Sequence, residues 1–118
     1  MEKRIFQYET TQFDYDFINH IKSIRIQKNI SQDTLSQLMG LAKSFVGNVE
    51  SHTQVHKYGT RHIPLLTNAL GFESLSDLMK FPLPKFDMIL VTIEQMVKVD
   101  EEKERVISSK VIKIEELK

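Results

Sequence analysis

Four neighbouring residues, Lys43, Ser44, Gly47 and Asn48, carry the most readily assigned chemistry in this 118-residue chain. At helical spacing they fall on one side of a short segment, with Val46 and Val49 on the other. A lysine can donate to guanine O6 and N7, and an asparagine amide can pair bidentately with adenine, so such a face could read base edges in a major groove. Gly47 is the exception, since glycine lowers helix propensity by roughly 0.5–1 kcal/mol relative to alanine. Either it lets the backbone approach DNA closely, or it marks a helix that does not read bases. His52, His56 and His62 also invite a chemical reading, but they fall in or beside a polar loop without a carboxylate at motif spacing. Zinc needs a pre-organised frame, so no metal is expected there. No Ser-His-Asp spacing, paired-carboxylate motif or Gly-rich phosphate loop is visible. Neither catalysis nor a cofactor is therefore expected.

The elements that must hold these residues are two short helices within Gln32–Ser51, QDTLSQLMGLAKSFVGNVES. Leu35, Leu38 and Met39 recur at helical spacing in the first, and Val46 and Val49 in the second, which should run from about Lys43 to Ser51. Gly40 stands between them, where positive φ can end a helix at once. Ser36 supplies the small side chain that a close crossing needs. Ser31 can cap the first helix, and Asp33 suits its first turn. The second lacks a comparable cap, because Ala42 stands where a hydroxyl would help, at a cost on the order of 1 kcal/mol unless Ser44 or solvent compensates.

This stretch resembles the helix-turn-helix of Cro/CI-type (XRE family) transcriptional regulators. The resemblance runs from about Ile21 to Met79 and holds the spacing Arg25, Gln32, Leu35, Gly40, Val46, Val49, Glu50 without a gap. It implies a mainly α fold, a five-helix lambda-repressor-like domain, with an N-terminal arm and a C-terminal helical extension. It also implies that Lys43, Ser44 and Asn48 contact bases and that Gln32 contacts phosphate beside them. Arg25 and Glu50 take the place of the family's partly buried ion pair between the first and third helices. Ala42 and Gly47 depart from the family's usual residues, and Phe45 stands where a small polar residue is usual. Its ring is expected to meet the following loop or the fourth helix rather than a thymine methyl.

The remaining chain extends this plan. Residues 1–13 form an arm with a β-prone piece, Ile5-Phe6-Gln7-Tyr8. Residues 14–81 form the DNA-binding domain. Its first helix begins after Asp14 or Asp16, carries Phe17, Ile21 and Ile24 on one face, and ends near Asn29. His52–Arg61 is a polar loop, longer than the family's, in which Lys57 and Arg61 are candidate phosphate contacts. A fourth helix carries Leu65, Leu66, Ala69 and Leu70 and stops at Gly71, with Pro64 tolerated in its first turn. Ser74 can cap a short fifth helix bearing Leu75, Leu78 and Met79. Phe81-Pro82-Leu83-Pro84 reads as a semi-rigid break. Beyond it, over 82–118, Phe86, Ile89, Leu90, Ile93, Met96 and Val97 keep helical spacing and form an apolar stripe expected to serve as an oligomer interface. The acidic-rich Asp100–Arg105 is expected to be a solvated helix end or loop. Val111-Ile112-Lys113-Ile114 could form a last strand pairing with Ile5–Tyr8.

Composition sets the limits. Hydrophobic content of 41% and charged content of 27% describe a globular chain. With no cysteine, disulfides and thiolate metal sites are excluded, and a reducing cytoplasm is the expected setting. No apolar run reaches a membrane-spanning length and no signal pattern opens the chain, so no membrane partner is expected. Net charge is zero, yet between His20 and His62 six basic residues face only Asp33 and Glu50. That local excess suits phosphate. The expected partners are double-stranded DNA and a second copy of the chain, because one small module buries too little surface for strong specificity. The competing reading is a protein-interaction module, an antitoxin or partner-binding adaptor, in which DNA binding is secondary or lost.

Overall fold

The computed structural model describes residues 1–52 and 56–118, so the polar loop expected over His52–Arg61 lies partly outside the described residues. In chain order the elements are β1 (Glu2–Thr11), α1 (Gln12–Gln27), α2 (Gln32–Leu38), α3 (Phe45–Glu50), α4 (His62–Ala69), α5 (Leu75–Leu78), β2 (Met88–Val99) and β3 (Glu104–Leu117). They form two compact units. One joins Met1–Gln12 to Pro84–Lys118, and the other is Phe13–Leu83.

The helical unit follows many of the local signals, but α1 begins at Gln12, ahead of the expected caps Asp14 and Asp16, and α3 is shorter than the expected Lys43–Ser51. Asn29 takes φ 58° after α1, and Gly40 and Gly71 take φ 75° and 79° after α2 and α4. These are the left-handed positions that glycine and asparagine accept at low cost. The Ser31 hydroxyl accepts the Thr34 N–H at 3.1 Å, and the Ser74 hydroxyl accepts that of Asp77 at 3.2 Å. Each satisfies a donor that the helix start would otherwise leave open. Phe17 and Ile21 lie four apart on α1 and are buried with Leu35, Met39, Val46, Val49, Tyr58, Leu66, Leu70 and Leu78. Ile24, Leu65, Ala69 and Met79 pack against this core partly buried, whereas Leu38 and Leu75, also expected inside, are 55% and 52% exposed.

The other unit overturns the expected fold class. With 36% of the chain helical and 31% in strands, the protein is not a mainly α five-helix domain with a helical extension. The arm and the C-terminal segment instead form one three-stranded antiparallel sheet in the order β1-β2-β3. The stripe Phe86, Ile89, Leu90, Ile93, Met96, Val97, expected on a helix, mostly lies on β2. The reason is visible in the residue types. Ile89, Val91, Thr92, Ile93 and Val97 are β-branched, and 89, 91, 93 and 97 share one strand face. A short apolar run satisfies both periods, and pairing with strands on either side selects the extended one. The consequence is that Ile89, Ile93 and Val97 are at most 1% exposed within the single chain. Phe86, Leu90 and Met96 are half-buried.

The Ile5–Tyr8 and Val111–Ile114 segments are both strands, but they do not pair with each other. Phe6 lies opposite Ile93 and Tyr8 opposite Val91, while Val111 and Ile114 face the same two residues from the far side. The Asp100–Arg105 cluster is not a helix end. It holds the β2–β3 turn, closed by the Asp100 N–H on the Lys103 carbonyl at 2.9 Å, and the start of β3.

The sheet is not flat. Arg4 on β1 donates to both carboxylate oxygens of Glu104 on β3, at 2.8 and 2.7 Å. Arg4 is opposite Gln95 and Glu104 opposite Val99, so a flat sheet would separate their backbones by two strand spacings and four residues. That is about 9–10 Å across and roughly 13 Å along. Register shifts fall at Thr92/Ile93 and Met96/Val97, irregularities of the kind that bend and twist a strand.

The burial pattern makes a test of the strand assignment. Ile93→Ala, which empties a fully buried site, should lower stability by about 2–5 kcal/mol in denaturant unfolding. Val99→Ala, at the half-exposed end of the same strand, should stay within about 0.5 kcal/mol.

Candidate nucleic-acid interface

The site is built outward from the α1 stripe. Phe17, Ile21 and Arg25 follow one another at four-residue intervals on the buried face of α1. Arg25 therefore reaches the end of the apolar core pointing at α3. Its Nε donates to Glu50 Oε2 at 2.9 Å and its Nη2 to Oε1 at 2.8 Å, while Nη1 donates to the Ile30 carbonyl at 2.9 Å. The side chains are 11% and 2% exposed. Bonding to Glu50 raises the Arg25 pKa against the opposing effect of burial, so the guanidinium stays charged. Glu50 also accepts from Gln32 Nε2 at 3.1 Å. One carboxylate thus ties α1, the start of α2 and the end of α3.

The start of α3 is held from α2. Ser44 is its N-cap and makes no side-chain capping bond. The compensation for Ala42 comes from neither Ser44 nor the local turn but from Ser36, fully buried eight residues before Ser44 in the chain. Its Oγ accepts the Val46 N–H at 2.9 Å and donates to the Gln32 carbonyl at 3.0 Å. The small size of Ser36 is legible from the motif. Its hydroxyl's second use is not, because the acceptor role depends on where α3 starts.

With both ends fixed, Val46 and Val49 are buried, and Lys43 and Ser44 are exposed, while Gly47 and Asn48 are half-exposed. Lys43 lies 3.8 Å from Asp33 with both largely in solvent. Such a pair is worth at most about 1 kcal/mol and leaves the ammonium free to turn elsewhere. Lys57 meets Asp14 at 3.3 Å, and Arg61 is exposed at the N-cap of α4. Phe45 packs on the loop and fourth helix, its ring centroid 6.0 Å from that of Tyr58 and 4.7 Å from that of His62.

Tyr58 is a core residue that sequence reading missed. It is 5% exposed and meets the Phe17 ring edge-on at 5.7 Å. Burial raises its phenol pKa well above the ordinary value, so it stays neutral. Nothing in the polar run around it signalled an inward turn.

No group of three or more potential metal ligands occurs among the described residues. His62 Nδ1 instead accepts the Gly59 N–H at 2.8 Å, which shapes the chain leading into α4. Burial and the neighbouring Arg61 lower the His62 pKa, and burial and Lys22 lower that of His52.

No family model, curated protein or solved structure matches this chain. No helix among the described residues is long and apolar enough to cross a membrane.

Two measurements test this framework. Glu50→Ala leaves the buried Arg25 charge without its partner, and loss of one member of such a pair costs about 3–5 kcal/mol. Thermal melts should show that loss, and Arg25→Met combined with Glu50→Ala should lose less than the sum of the single changes. The second follows from the neutral histidines. Because their folded pKa values lie below the ordinary 6.5, stability should be fully present above that pH. It should decline as pH falls through the folded values, since the unfolded chain takes up protons first. His62→Asn, which keeps an acceptor for Gly59, should flatten that decline in urea titrations between neutral and acid pH.

Proposed function

We propose that this protein is a sequence-specific double-stranded DNA-binding transcriptional regulator that acts as a homodimer. The stretch around 43–51 enters the major groove in the manner of the Cro/CI-type regulators that α2 and α3 resemble. The observation that carries this reading is the way α3 is held. Its inner face is buried, its two ends are tied by Ser36 and by Glu50, its outer face carries Asn48, and Lys43 and Ser44 lie exposed in the turn that leads into it. A helix that must present side chains to base edges gains from being fixed before it binds. Lys57 and Arg61 supply charge for phosphate at the flank.

Pairing of two copies is supported by the second unit. β3 is an edge strand bearing Val106, Ile107, Ile112 and Ile114, each 42–51% exposed. Apolar groups on an open edge are a ready surface for another chain. The same exposed row favours the second reading, a protein-interaction module whose partner occupies the sheet.

Gel-shift titration against DNA selected from a random pool separates the two. For the regulator, affinity should fall steeply between two salt concentrations, as phosphate contacts require. Asn48→Ala should weaken the preferred site by roughly 1–3 kcal/mol and relax one base pair per half-site. Lys57→Ala should weaken all sequences alike. Absence of any salt-sensitive shift would favour the interaction module.

A further inference from the structure

The outward face of α3 has a gap at its centre, where Gly47 bears no side chain, and another residue lies in that gap. A Cβ built on Gly47 would come 3.2 Å from Gln32 Oε1 and 3.9 Å from Gln32 Cδ. The amide of Gln32, from the first turn of α2, therefore lies along α3 where residue 47 would project. Its orientation follows from chemistry. The Glu50 carboxylate only accepts, so the group 3.1 Å from it must be Nε2, and Oε1 is the end that lies over Gly47. The backbone beneath is fixed as well, because Ser36 bonds the Gln32 carbonyl and the Val46 N–H together.

Resting on the DNA-binding reading above, we propose that Gln32 is a specificity-determining residue that reads a base from the position Gly47 vacates. Its Oε1 selects a base with an exocyclic amino group in the major groove, adenine N6 or cytosine N4. This departs from the phosphate contact that the family resemblance implies. A phosphate offers acceptors only, and an amide whose oxygen is turned to the outer face repels it. A base amino group is a donor and suits it. Gly47 then has a definite role: any Cβ there meets the amide oxygen at a separation tighter than ordinary contact and shifts it.

The test uses the full chain, a random double-stranded DNA pool for selection, and thermal melts alongside. Gln32→Ala should abolish a preference for adenine or cytosine at one position per half-site and weaken the preferred site roughly 5- to 150-fold. Gly47→Ala should alter preference at that same position while keeping Gln32 present to bond Glu50, with the melting temperature read alongside to confirm that the variant folds. This second variant keeps the question answerable if Gln32→Ala, having lost its bond to Glu50, folds poorly. If the parent selects a defined site but Gly47→Ala leaves every position unchanged, Gln32 only braces Glu50 and the inference fails while the regulator reading stands. Uniform weakening of all sequences by Gln32→Ala likewise returns it to phosphate contact. A parent that binds no DNA overturns both.

Discussion

The Glu50 carboxylate accepts three hydrogen bonds, two from Arg25 and one from Gln32, and is nearly enclosed by the groups that make them. Burying a carboxylate is costly unless its oxygens are satisfied, and here they are satisfied by residues from two other helices. The arrangement is therefore demanding in geometry. If α1, α2 or α3 shifted by much more than a hydrogen-bond length, a charge would be left unpaired in the interior. That requirement holds the outer face of a six-residue helix in place, which its own propensity could not do.

The start of the same helix depends on a second polar contact inside the core. Ser36 is fully buried, and its one hydroxyl both donates and accepts. A cap supplied from another helix fixes position as well as satisfying an N–H. A local cap at Ala42 or Ser44 would satisfy the donor but would not tie α3 to α2. Gln32 stands between these two anchors: its carbonyl is held by Ser36 and its amide by Glu50. Structure and candidate base reading thus share the same few atoms.

The sheet unit follows a different logic. The first twelve residues and the last thirty-five form one unit, so it needs both ends of the chain. Its central strand is buried, its turn and outer strand are polar or half-exposed, and Arg4 and Glu104 join the outer strands. That ion pair lies in solvent. With the inward-facing residues of β2 already buried within one chain, most of the apolar groups this unit still exposes lie on its two edge strands, Ile5 on β1 and Val106, Ile107, Ile112 and Ile114 on β3.

Local chemistry was decisive wherever a residue's conformation depends on its immediate neighbours. Asn29, Gly40 and Gly71 end helices by accepting positive φ, and Ser31 and Ser74 begin them by accepting an N–H three residues on. These were legible from the sequence, as were the turn between α2 and α3 and the inward direction of Val46 and Val49. The pairing of Arg25 with Glu50 was legible only through a family resemblance, since nothing local joins residues twenty-five apart. Tertiary structure alone decided the rest. The segment around Ile89–Val97 fits a helix or a strand by its apolar spacing, and it becomes a strand because β1, far earlier in the chain, and β3 supply its backbone partners. The placement of Gln32 over Gly47 and of Ser36 under Val46 likewise depends on the crossing of two helices. Periodicity reports which side of an element is apolar, but only the assembled chain determines what meets it.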